Sequence, residues 1–221
     1  MSQLPRERAN AAVTAFLSSR DWSSQTPARR RILAAFLQLA TSRGFESVTM
    51  RTLGRELDMK APSLYSSFPR GKDEIVAESL RWFTHNFARD LLAAAKEAGS
   101  AEEYWSALVR FHIAQQLQRP EADLWNLLVA TDRVARFLGD EVRDEVVLWT
   151  GLHEDMFIAA AEEMGYELSV QTTKVIFTIL DGAGHWANWG GSESGLAEML
   201  DNAVLLTRSI LEVCSGSRAA A

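Results

Sequence analysis

Apolar residues along this chain recur almost everywhere at the spacing of a helix. Ile32, Leu33, Phe36, Leu37 and Ala40 share one face, led by three arginines (Arg29, Arg30 and Arg31) and stopped by Gly44. Thr49 is placed to cap a short helix through Leu57, with Met50, Leu53 and Leu57 turned inward. Asp58 and Met59 make a tight connection to another short helix, from Ala61 to about Ser67, whose Pro62 is tolerated because the first turn needs no backbone N–H. Pro69 and Gly71 break the chain, and a long helix starts near Lys72, burying Ile75, Val76, Leu80, Phe83 and Phe87. The pattern predicts further helices over 101–118, 120–137, 140–164, 168–188 and 193–213, separated by Gly99-Ser100, Gly139, Gly165 and the Gly190–Gly195 cluster. No alternating strand pattern and no internal repeat is present. The expected fold class is therefore all-α, with about nine helices: an extension over 1–26, a three-helix unit with a helix-turn-helix over 27–75, and a larger helical bundle over 76–221.

Charge sharpens this division. The net charge is −6, yet residues 1–75 carry 12 Lys or Arg against 7 Asp or Glu, and the remainder carries 11 against 22. A basic head on an acidic body suits a head that meets a polyanion. The single cysteine, Cys214, excludes an internal disulfide framework and fits a reducing compartment. No apolar run approaches the roughly 18 residues that span a bilayer, and the first twenty residues lack a secretory apolar core, so a cytoplasmic protein with no membrane partner is expected.

The third short helix is the informative one. With Ile32 to Leu57 forming a small core, Lys60, Ala61, Ser63, Ser66 and Tyr65 are left on its outer side. Small and hydroxylated side chains let a helix lie close in a major groove. There Lys reaches guanine acceptors, Ser meets either edge, and an Ala methyl packs on thymine. Arg29, Arg30, Arg31, Arg51, Arg55, Tyr65 and Lys72 are the candidate phosphate contacts on either side, Thr49 is a further candidate DNA contact, and Lys72 opens a long helix whose N–H groups favour anions.

Over about residues 28–80 the sequence resembles the TetR family of bacterial transcriptional repressors. The resemblance rests on Thr49 at the start of the second helix, Leu53-Gly54, the Asp58-Met59 turn, Leu64-Tyr65-Ser66-Ser67-Phe68, and Lys72 opening the fourth helix. It implies that double-stranded DNA is the partner, that Tyr65 and Lys72 contact phosphates, and that Lys60 to Ser66 read bases. The chain departs from the family pattern at Asp58, where a Gly is usual, and at Lys60, where a Ser cap is usual; its "FPRGKDE" connection is one residue longer than the commonest form. The resemblance further implies an all-helical regulatory body that holds a small molecule and forms a homodimer through its last two helices.

In the body the residues speak for themselves. Ile176, Ile179 and Ala183 lie on one apolar stripe, and Met199, Ala203, Leu206 and Ile210 on another, so these seven are the expected dimer interface. Trp105, Trp125, Trp149, Trp186 and Trp189, with His112 and His153 among them, are the expected lining of a pocket for an apolar or aromatic effector.

Catalytic motifs fail on inspection. "GAGHWA" (Gly182–Ala187) matches a dinucleotide fingerprint but lacks the alternating strands and helices that give it meaning, and "HEDMF" has Phe157 where a zinc motif needs its second His. No catalytic residue, metal site or cofactor is expected. Two function classes remain: a ligand-controlled DNA-binding repressor acting on a palindromic operator, and a helical scaffold whose basic head binds an acidic protein.

Overall fold

The computed structural model describes residues 3–19, Trp22 and 25–216. Of the extension expected over 1–26, residues 1–2, 20–21 and 23–24 lie outside the described residues, as do 217–221. Among the described residues there is no strand and there are eleven α-helices. They are α1 (Pro5–Ser18), α2 (Pro27–Arg43), α3 (Met50–Leu57), α4 (Ala61–Ser67), α5 (Lys72–Ala95), α6 (Ala101–Gln118), α7 (Pro120–Ala135), α8 (Asp140–Glu163), α9 (Val170–Asp181), α10 (Ala183–Trp186) and α11 (Glu193–Gly216), with one 3-10 turn at Phe45–Ser47. The all-α class holds, and the count exceeds nine for two reasons. The extension contains a helix, and the segment over 168–188 is broken at Gly182 into α9 and α10.

The chain packs as two compact units. The first, called the body unit here, comprises residues 1–17, 88–119 and 148–221; the second, the head unit, comprises 18–87 and 120–147. This grouping does not follow the division at 75/76 drawn from the sequence. Leu124 and Leu128 of α7, with Leu138 and Val142, share a core with Ile32, Phe36, Leu53, Leu64, Phe68 and Ile75, so α7 belongs with the head.

Local signals set the head's helix ends. The Thr26 hydroxyl accepts from Arg29 N at 3.2 Å and Pro27 opens α2. A capping box joins Thr49 and Thr52 at the start of α3, and Asp58 closes α3 in the left-handed conformation (φ 51°). The turn into α4 is tight. Met59 N donates to Gly54 O at 2.8 Å, and a Cβ placed on Gly54 would lie 2.8 Å from Met59 O.

In the body unit α1 lies against α6 and α8. Arg6 donates to the Glu163 carboxylate at 2.7 Å and to Ser100 O at 2.8 Å, and the Tyr104 hydroxyl donates to Asn10 Oδ1 at 2.6 Å. Trp105, fully buried on α6, donates its indole N–H to Thr207 of α11 at 3.2 Å.

Gly54 gives a test of the turn. Gly→Ala inside a helix ordinarily gains up to about 1 kcal/mol, but here the new methyl meets a backbone oxygen, and such overpacking costs about 1–3 kcal/mol. Gly54→Ala is expected to lower the unfolding free energy in urea titration; a variant more stable than the parent would show that the close approach imposes nothing.

Candidate nucleic-acid interface and aromatic cluster

α4 is seven residues long and buries only Leu64 along its own length, with Phe68 just beyond its end. Every other outward position is open. Lys60, Ala61, Pro62, Ser63, Tyr65 and Ser66 are exposed, Tyr65 at 47%. Lys60 caps α4 with its backbone alone and makes no side-chain cap bond, which leaves its ammonium directed to solvent. Arg30, Arg31, Arg51, Arg55 and Arg70 are exposed, and Thr49 is exposed but engaged in its capping box with Thr52.

Two of the expected phosphate contacts are occupied within the head itself. Arg29 donates from Nε to Gln25 Oε1 at 2.8 Å and from Nη1 to the Ser67 carbonyl; it lies 3.5 Å from Glu74 and its guanidinium covers the Phe68 ring at 4.1 Å. It ties α2 to the end of α4 and the start of α5. The Lys72 ammonium donates to Phe45 O at 3.2 Å and sits 4.3 Å from the centre of the Phe45 ring. Sequence spacing put both cations on the right elements but carried no information about these internal acceptors. Arg70, absent from the expected set, is exposed beside Tyr65 and Lys72 in the chain; its place after Pro69 was the available signal.

The body's expected effector residues divide. His112, Trp149 and His153 come together in a continuous stack. Phe16 of α1 stacks on Trp149 (5.6 Å between ring centres), Trp149 on His153 (5.3 Å), and His153 on His112 (5.3 Å). Phe157 and Phe177 close it edge-on, 5.6 and 4.9 Å from His153, and Trp105 meets Phe157 at 5.2 Å. His112 Nε2 is 3.0 Å from Asp181 Oδ1. The remaining three tryptophans do not join the stack. Trp125 belongs to the head unit, where it donates to Thr84 at 3.1 Å and faces Phe83. Trp186 donates to Ile179 O at 2.8 Å, and Trp189 to Ser192 O at 2.8 Å. Phe16, Phe157 and Phe177 were missed because a single Phe at helical spacing looks like any core residue.

The expected dimer stripes also divide, because a helix that packs in its own subunit turns half of its apolar residues inward. Ile176, Ala183 and Ala203 are buried in the protomer's core and present no surface. Ile179, Met199 and Ile210 are half-buried and Leu206 is exposed, beside the exposed Val175, Leu205 and Val213. Among the described residues no group of three or more His, Cys, Asp or Glu is arranged to hold a metal ion, and no helix is long and apolar enough to cross a membrane.

Residues 32–79 match the profile of the bacterial regulatory proteins of the tetR family. The match places a tetR-type helix-turn-helix in the head. The HTH-type transcriptional repressor KstR of Rhodococcus jostii (strain RHA1) is 35% identical to this chain over 85 residues, 38% of the chain and 40% of that relative. The fold is shared more widely. A bacterial regulatory protein in the tetR family from Rhodococcus RHA1 superposes with a TM-score of 0.71 at 14% identity, over 84% of this chain and 97% of that one. The ketosteroid transcriptional regulator KstR2 of Mycobacterium tuberculosis gives 0.64 at 16% identity, over 83% and 95%.

In the body unit, His153 is buried, and burial, followed by the charge His112 would carry, holds its imidazole well below the ordinary range. The unfolded chain takes up that proton near pH 6.5 and the native state does not, so stability is lost as pH falls below about 6.5, by up to ~1.4 kcal/mol per unit. Urea unfolding at pH 7.5, 6.5 and 5.5 should show this loss, and His153→Phe should flatten the step between 6.5 and 5.5. An equal step in parent and variant would remove His153 as its source.

Proposed function

We propose that this chain is a DNA-binding transcriptional repressor of the tetR type, acting as a homodimer on a palindromic operator and released by a small apolar or aromatic effector. The observation that carries the reading is the outer face of α4: Lys60, Ala61, Ser63, Tyr65 and Ser66 are all exposed while Leu64 and Phe68 anchor the helix from behind. A helix held in this way offers a base-reading edge of Lys, Ser and Ala, flanked by Arg30, Arg51 and Tyr65 as phosphate contacts. Kinship over 85 residues with a named repressor supports the same reading.

The second chain of the dimer meets the outward halves of α9 and α11, through Val175, Ile179, Met199, Leu206 and Ile210. The effector enters the stack around Trp149 and His153, where rings and a neutral imidazole suit a flat, weakly polar molecule. It must bind the DNA-incompetent state more tightly, since equal affinity for both states shifts nothing. Operator release then needs only that the stack open in one state and close in the other.

Mobility-shift titrations on the DNA flanking the gene, run against salt, test this. Affinity is expected to fall steeply with salt. Arg51→Ala should lower the log–log slope by about 1, and Lys60→Ala should change base preference at a cost of about 1–3 kcal/mol on the preferred site. Arg29→Ala should lower stability and leave the slope unchanged. Binding with no preference for any duplex sequence, insensitive to Lys60→Ala, would overturn the reading in favour of an acidic protein partner.

A further inference from the structure

A trough in the head unit takes no part in the outer face of α4 or in the body's aromatic stack. It lies between the Phe45–Ser47 turn and α7, is open to solvent on one side and offers about 440 Å³, within the range of small-molecule sites. Phe45, Leu127 and Leu128 form its apolar walls and Thr131 stands one turn further along α7. Leu127 is 58% exposed, and it is this exposed side that an occupant would cover. Two charges flank the trough. Arg43 lies 3.5 Å from Glu56, so its charge is already countered. Glu46 is exposed and meets no cation among the described residues.

We propose that this trough binds a small amphiphile with one cationic head: a short alkyl or aryl body against Phe45, Leu127 and Leu128, and the cation beside Glu46. Occupancy bears on Phe45, the residue that holds Lys72. The Phe45 carbonyl accepts from the Lys72 ammonium at 3.2 Å, its ring lies beneath that ammonium at 4.3 Å, and the same ring packs on Phe36 and Phe137 at 6.2 and 6.0 Å. A ligand on the open side braces the turn and favours the state in which Lys72 is withheld from a phosphate. This coupling rests on the DNA-binding reading; occupancy of the trough does not.

Calorimetric titration of the full chain with octyltrimethylammonium, octanoate and 1-octanol tests the site. The cation is expected to bind once per chain, about tenfold more tightly than octanoate. Thr131→Trp, which fills the trough from an exposed position, should weaken it about tenfold, and Glu46→Gln about threefold. Leu127→Ser, a change at the solvent side of α7, should also weaken it and serves if the Trp variant misfolds. Equal binding by the parent and both trough variants, or octanoate binding as tightly as the cation, overturns the site. On operator DNA, saturating cation should weaken binding several-fold in the parent and not in Lys72→Ala; an unchanged parent affinity overturns the coupling. Absence of DNA binding without any ligand would sink the repressor reading and leave the trough standing.

Discussion

A helix of seven residues has no stability of its own, since isolated helices need roughly 12–15 residues to persist in water. α4 exists because Leu64 and Phe68, both fully buried, fasten it to the core shared by α2, α3 and α5. The Gly54 approach fixes the turn that leads into it, and Arg29 holds its far end through the Ser67 carbonyl and the Phe68 ring. With anchors only on the inner side, the outer side needs no apolar residue at all. Lys, Ser, Ala and Tyr can occupy it without weakening the fold, and that freedom is what makes the helix a reading surface.

The same economy sorts the cations. Those that hold elements together are drawn inward: Arg29 to Glu74, Lys72 to Phe45, and Arg81 to Glu78 and Glu145, with Glu141 also in range. Arg143 clamps Asp132, whose second oxygen receives Leu138 N–H, and so fixes the connection from α7 to α8. What remains outside is Arg30, Arg31, Arg51, Arg55, Lys60 and Arg70, and these set the field a duplex would meet. The body unit works the other way. Its centre is a stack of rings with His153 kept neutral by burial and the Asp181 carboxylate 3.0 Å from His112, while Arg6 meets Glu163 and Lys174 meets Glu154 elsewhere in the unit.

Much of this was legible in the chain. Helical periodicity, Gly44, Pro62 and Gly71 marked the elements of the head. Thr49 announced its capping box, and Asp58 took the left-handed turn its position required. The open face of α4 was read from the small core of Ile32 to Leu57 alone; the inward anchors Leu64 and Phe68 came with the structure. The α1 helix was harder to see. Only Ala9 and Val13 are buried along it, too weak a stripe to stand out from a charged lead segment.

The sequence by itself determined the all-helical class, the helix-turn-helix, the basic head and the outward residues of α4, because each depends on spacing within one helix or on neighbours a few residues apart. The tertiary structure alone decided which cations are free, which aromatic rings meet and which half of each apolar stripe faces out. Arg29 and Arg30 are adjacent and chemically identical, yet one lies over Phe68 and the other in solvent. Trp125 and Trp149 have equal claims on paper but belong to different compact units. Such distinctions depend on partners tens of residues away, and a side chain's environment is fixed only when those partners arrive.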